Sequence, residues 1–219
     1  MAAPPRICVP IINESQNFTE AGLLADLYEV RIDLIGREWR KVASQLKKPW
    51  IACNRRIEEG GLWRDKEDKR IKELLSALEL GAKYIDVELG STELETIVPK
   101  IKGNAEVIVS YHNLVNTPPV DRLRRIIVNE LDAGADICKI VTTANSITDN
   151  VVMLELITFY PAVRIISFAK GMAGQISRVM SPLAGGFLTW ASSEEGSESA
   201  EGQMTIGDIK RIYHCLGNN

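Results

Sequence analysis

Eight short apolar segments, spread along nearly the whole chain and separated by stretches of helical periodicity, constrain the fold more than any other feature of this sequence. They are "ICVPI" (7–11), "LYEVRIDL" (27–34), "WIACNR" (50–55), "YIDVEL" (84–89), "EVIVSYH" (106–112), "DICKIVT" (136–142), "VRIISFA" (163–169) and "GFLTWAS" (186–192). Most are rich in Val and Ile with few polar interruptions, the pattern of strands buried on both faces. Four intervening stretches read as helices: 65–81, which stops at Gly81, 119–134, 148–160 before Pro161, and 205–217. The first two gaps are less distinct, and each has room for a short helix. Eight strands alternating with helices imply a compact (β/α)8 TIM barrel, a single domain over residues 1–219. An open doubly wound sheet is the alternative, but it usually has fewer strands. Neither GxGxxG after an early strand nor GxxxxGK[ST] occurs.

The 26 basic and 29 acidic residues leave a formal charge of -3, which gives no sign of a general nucleic-acid surface. No apolar run of signal-peptide or membrane-spanning length is present, so we expect neither secretion nor a membrane. The four cysteines are far apart and form no CxxC pair, and there are only two histidines. Reduced core thiols in a cytoplasmic protein follow, with no metal and no organic cofactor expected. Ser/Glu/Gly-rich "SSEEGSESAEGQ" (192–203) reads as a mobile loop after the eighth strand.

A barrel of this kind carries its chemistry where strands end and loops begin. Glu29, Arg31 and Asp33 lie two apart on the second strand, and Asp86 and Glu88 two apart on the fourth. Arg55 ends the third strand with Glu59 just beyond, and Ser110 and His112 share one face of the fifth. Taken singly, each could be a structural bond or a solvated side chain. A closed barrel has no edge strands, so this many polar groups need one another or a ligand.

Lys139, within "AGADICKIVTT" (133–143), raises the same question more sharply. Strand lysines mostly face solvent or snorkel along an edge. Buried among apolar neighbours, the ammonium is penalised, and the expected fall in pKa makes a nucleophilic amine available. Such an amine forms an imine with a ketone or aldehyde and acidifies the adjacent carbon. His112 can remove and return protons, and Glu59 or another carboxylate can orient it. Arg31, Arg55 and Arg178 supply forks suited to a carboxylate or vicinal hydroxyls. The set implies an anionic, oxygen-rich carbonyl substrate of small size.

Six motifs in order carry a family resemblance: "YEVRIDL", "NRRIEEGG", "SYHN", "CKIVT", "GQISR" and "SAEGQ". The chain resembles the type I 3-dehydroquinate dehydratases of the shikimate pathway over nearly its whole length. It begins almost directly at its first barrel strand, without the added N-terminal hairpin of some family members. The resemblance implies dehydration of 3-dehydroquinate to 3-dehydroshikimate through an imine on Lys139. His112 is then the proton-transfer group and Glu59 its partner. Glu29, Arg31 and Arg55 would hold ring hydroxyls and the reacting centre. Arg178 would meet the substrate carboxylate, and Ser199 and Gln203 would reach in from the late loop. A cytoplasmic homodimer built through outer helices is also implied.

Three departures from the family pattern stand out. "CNR" (53–55) replaces the usual "TxR", and "AEGQ" (200–203) replaces "APGQ". Glu201 in place of proline is expected to loosen the loop and to add negative charge near an anionic substrate. "SFAKGMAGQ" (167–175) leaves open whether Phe168 or Met172 forms the apolar wall. Two other functions fit the barrel. A Schiff-base aldolase would use the same lysine, but no glycine-rich phosphate cradle follows strands seven and eight. A non-catalytic metabolite- or protein-binding barrel would not need Lys139, His112 and Glu59 together.

Overall fold

The computed structural model describes residues 4–16 and 19–218. Eight parallel strands form a nearly closed barrel, in the order β7-β6-β5-β4-β3-β2-β1-β8. The strands are β1 (Ile7–Ile11), β2 (Leu27–Arg31), β3 (Trp50–Cys53), β4 (Tyr84–Glu88), β5 (Glu106–His112), β6 (Ile137–Thr143), β7 (Ile165–Lys170) and β8 (Thr189–Trp190). The helices are α1 (Thr19–Leu24), α2 (Ile32–Ile35), α3 (Trp39–Ser44), α4 (Glu67–Ser76), α5 (Leu94–Ile101), α6 (Val120–Asp132), α7 (Asp149–Phe159), α8 (Gln175–Leu183) and α9 (Ile206–Cys215). Among the described residues, no helix is long and apolar enough to cross a membrane.

The alternation of side chains along each strand builds two cores. Residues such as Val9, Val30, Ile85, Val107 and Val109 face outward and meet the helices. Cys8, Leu27, Ile51, Tyr84, Ile108, Ile137, Ile166 and Leu188 face inward and plug the lower barrel. Two residues further along four of these strands, the inward position becomes polar: Glu29, Asp86, Ser110 and Lys139, all buried. An apolar floor therefore carries a polar layer facing the C-terminal mouth.

Closure is uneven. β8 pairs with β1 through Ile7↔Thr189 and Cys8↔Trp190. On its other side, Phe187 N–H donates to Ile165 O at 2.7 Å, just before β8 begins. The expected strand over 186–192 shrinks to two residues for a local reason. Gly186 is packed against α8, where an added Cβ would come within 2.7 Å of Ser181 O. Phe187 packs against the lower plug, edge-on to Tyr84, and lies beneath the Arg6 guanidinium, 4.7 Å from the ring centroid.

The second strand also ends early. Asp33 lies in α2 rather than on a strand face with Glu29 and Arg31, and it folds back to grip Arg31 through two hydrogen bonds. Helix α4 is continued by a 3-10 turn over Ala77–Leu80 and stops at Gly81, whose φ of 78° favours glycine. Helices α5 and α8 have no counterpart among the helices expected from the sequence. Each contains a proline, Pro99 and Pro182, which masks the helical pattern.

Candidate active site

Lys139 sits in the middle of β6, buried beneath the barrel mouth. Its Nζ donates to Asp86 Oδ2 at 2.6 Å and lies 3.6 Å from Glu29 Oε1. The Trp190 ring covers another side, with its centroid 4.1 Å from Nζ. Burial alone would lower the pKa of this lysine, but Asp86 and Glu29 outweigh it and hold the group above its ordinary value. This corrects the expectation of a depressed lysine. The interior at this level is lined with carboxylates, not hydrocarbon, so the resting group is an ammonium.

A column of alternating charge fixes that ion pair. Arg55 reaches Asp86 at 2.8 Å through Nη2 and Glu88 at 2.9 Å through Nη1, and Nη1 also donates to Ser110 Oγ at 2.7 Å. Ser110 Oγ donates to Asp86 Oδ1 at 2.7 Å. Behind Glu88 stands Arg70 of α4, fully buried, paired with it at 2.7 Å and donating to Asn54 O. Burial would raise the Asp86 carboxyl, but Arg55 and Lys139 overcome this and keep it well below the usual carboxylate range. Arg55 borders the cavity, yet both terminal nitrogens are committed to the protein; it orders carboxylates as much as it offers a fork to a ligand. Arg70 was hidden in the sequence because a charged residue in "DKEDKRIKELL" reads as solvent-facing.

His112 ends β5. Its backbone N–H donates to Glu59 Oε2 at 3.0 Å, and its Nδ1 lies 2.9 Å from the same oxygen. With Glu59 ionised, Nδ1–H donates to it and Nε2 keeps its lone pair. Burial, followed by the positive Arg55 and Lys139, holds His112 well below its ordinary pKa. Burial pushes Glu59 up to about 7, against the pull of Arg55. The pair thus gains its first proton near neutrality, on a shared site. Because the base form requires ionised Glu59, kcat/KM should fall on the acid side of about 7. Glu59→Gln removes this ionisation and leaves only the depressed histidine, so the acid limb should move to lower pH. A pH profile of both proteins checks this.

Glu29, Arg55, Glu59, His112 and Lys139 border one cavity of about 150 Å³, together with Arg31, Cys53, Gly60, Leu114, Phe168, Lys170, Arg178, Trp190, Ser199, Ala200 and Glu201. Arg31 is gripped by Asp33. Arg178, on the buried face of α8, is different. Its Nε and Nη2 are buried without a hydrogen-bond partner, and no carboxylate among the described residues lies within ion-pairing distance. Burial brings its pKa down to about 10, and its guanidinium stacks over Phe168, 4.4 Å from the ring centroid. Phe168 lines the cavity while Met172 is largely exposed, which settles the apolar wall.

The late loop closes over this region through backbone contacts. Gly171 N–H donates to Glu201 O at 3.0 Å, and Gly202, with φ of 74°, approaches so closely that a Cβ would lie 2.3 Å from Gly171 O. Glu201 therefore leaves the loop docked on the end of β7. Ser199 borders the cavity, and its backbone N–H donates to Gln203 Oε1 at 2.7 Å; Gln203 itself is buried behind it. Lys170 and Trp190 also line the cavity, and nothing local in the sequence marks them as site residues. Both lie inward on strands whose apolar runs hide them.

Glu29, Cys53 and Asp86 bring ligand atoms within 4.8 Å of one another. Lys139 and Arg55 already serve as counter-ions there, so a bound cation would have to displace them.

The sequence pattern of the family described as type I 3-dehydroquinase matches residues 7–219. A protein named 3-dehydroquinate dehydratase from Dehalococcoides mccartyi is 38% identical over 216 residues, which are 99% of this chain and 97% of that protein. The 3-dehydroquinate dehydratase of Geobacillus kaustophilus is 25% identical with a TM-score of 0.85, covering 97% of this chain and 91% of its own. The type I 3-dehydroquinate dehydratase of Clostridium difficile, solved with covalently modified comenic acid, is also 25% identical. Its TM-score is 0.84, over 97% of this chain and 92% of that one.

Proposed function

The chain belongs to the type I 3-dehydroquinase family, and we propose that it dehydrates 3-dehydroquinate to 3-dehydroshikimate through an imine on Lys139, as a step of the shikimate pathway. One observation carries the reading: a buried amine, a His–carboxylate pair and an unpaired buried arginine face the same cavity. The arginine asks for a carboxylate, the amine for a ketone, and the imidazole for an acidic C–H between them.

The steps balance as follows. Neutral His112 takes a proton from the Lys139 ammonium, and the freed amine attacks the C3 ketone. The carbinolamine expels water, using that proton, and becomes an iminium. His112 then removes a proton from C2, and the C–H electron pair moves into the ring to give a neutral enamine. That pair returns to expel the C1 hydroxyl, which leaves as water with the proton from His112. Hydrolysis of the conjugated iminium frees Lys139 and the product. The protonated nitrogen accepts the charge developing at C2, which lowers the barrier to proton removal. Asp86 and Glu29 favour the iminium over the neutral carbinolamine, because they already hold a cation at this position.

Arg178 is the proposed seat of the substrate carboxylate, with Lys170 beside it as a second cation. Ser199, held by Gln203, is proposed to meet the substrate from the loop, with Glu29 and Arg31 at the ring hydroxyls. Arg178→Leu should raise KM by on the order of a hundredfold with a smaller change in kcat. The same variant should unfold at a higher temperature than the wild type without ligand, because it removes an unpaired buried charge. An unchanged KM would move the carboxylate elsewhere. The experiment for the function itself is incubation with 3-dehydroquinate, following the ultraviolet absorbance of the conjugated product. Turnover of sugar phosphates instead would favour the Schiff-base aldolase.

A homodimer and a reducing, cytoplasmic setting belong to the same proposal. In support, Ile147, Val151 and Phe159 expose apolar surface on and just before α7, and Cys8, Cys53 and Cys138 are buried free thiols.

A further inference from the structure

Two cations of the cavity, Lys139 and Arg178, are separated by an aromatic bracket. Arg178 stacks on Phe168, whose ring centroid is 5.8 Å from that of Trp190 at an interplanar angle of 51°. Trp190 in turn presents its face to Lys139 Nζ at 4.1 Å. It is placed there by β8, whose register sets Trp190 opposite Cys8 and turns it inward with Leu188 below. The indole Nε1–H is buried without a hydrogen-bond partner, an uncommon state for a buried tryptophan. The position of this ring is therefore not explained by a bond at its polar edge. Its face meets the Lys139 cation, and Phe168 lies tilted beside it.

We propose that the face of Trp190 carries part of the positive charge on Lys139 Nζ, in the free ammonium and in the covalent iminium, which makes Trp190 a catalytic residue of this site. The half that concerns the iminium rests on the function proposed above; the half that concerns the ammonium does not. The physical cause is the ring quadrupole, whose negative face attracts a cation most strongly for tryptophan and when water is excluded. Asp86 and Glu29 bind the nitrogen from β4 and β2, and its other charged and titratable neighbours are Arg55 just beyond β3, His112 of β5 and the Cys53 thiol at the end of β3. Trp190 adds to the attraction from β8 without adding a formal charge. A third carboxylate would hold the proton too firmly for the amine to be released; a π face is weaker. It also travels well between states, because an ammonium and a planar iminium both lie comfortably against a flat ring.

The test compares wild type, Trp190→Phe and Trp190→Leu in two readouts. The first is reductive methylation of Lys139 by formaldehyde and cyanoborohydride, at one pH below the lysine's own pKa, with the site read by peptide mass spectrometry. The rate follows the fraction of free amine and needs no substrate. Loss of the aromatic face should raise it about tenfold in Trp190→Leu, equivalent to one pKa unit, and by less in Trp190→Phe. The second readout is the alkaline limb of turnover with 3-dehydroquinate, which should move to lower pH in the same order. Both variants open the pocket, but only Trp190→Phe keeps an aromatic face. Equal labelling of the two, or labelling that rises while the alkaline limb stays fixed, would report access alone and overturn the proposal. Absence of wild-type turnover would instead overturn the substrate reading, and the order of labelling rates would still decide the role of Trp190.

Discussion

Lys139→Ala is expected to lower the turnover of 3-dehydroquinate by on the order of 10⁴-fold or more while leaving the substrate bound. The expectation follows from what remains in the cavity. Arg178 still offers an unpaired guanidinium, and Arg31 and Ser199 still border the space. What disappears is the atom that converts a ketone into an electron sink. Without it, proton removal from C2 must build an enolate in a cavity where Asp86 and Glu29 supply negative charge. The carboxylates that favour the iminium oppose the enolate, so the variant falls below what Arg178 and His112 alone would deliver. Calorimetry with 3-dehydroquinate separates the two effects. Lost binding together with lost turnover would mean that Lys139 serves mainly to hold the site together.

His112→Ala carries the second large effect, a fall in kcat of roughly 10²–10⁴-fold. The imine should still form in this variant, though more slowly, because the proton released by Lys139 can pass to water. The covalent complex should then accumulate ahead of C–H cleavage. Rapid quenching with borohydride would trap it and measure its build-up. A variant that loses the adduct but still exchanges the C2 proton with solvent would contradict the assignment of His112 as the base.

Much of this arrangement was legible in the sequence, and the limits have physical causes. "ICVPI" and "EVIVSYH" became β1 and β5 with the same bounds, because short segments rich in Val and Ile favour a strand buried on both faces. The polar spacing in β4 and β5 was readable because side chains alternate strictly along a strand. "RIDL" misled, since period-two polarity over four residues fits a strand and also the start of a helix. Asp33 therefore looked like a site residue and became the clamp on Arg31. Arg70 was invisible for the opposite reason: nothing local distinguishes the one arginine of a charged helix that turns inward. The lysine's proton affinity was misjudged because it depends on Asp86 and Glu29, which lie far from Lys139 in sequence and meet it only when the barrel closes. Trp190 belongs to the same class, since a tryptophan in an apolar strand reads as core until a cation is found on its face.

Borohydride reduction of the wild-type protein in the presence of 3-dehydroquinate, followed by peptide mass spectrometry, tests the central claim most directly. The imine account expects one stable adduct, on Lys139, with activity lost in proportion to its formation. Full turnover without any reducible adduct, or an adduct on Lys170 with Lys139 untouched, would contradict it.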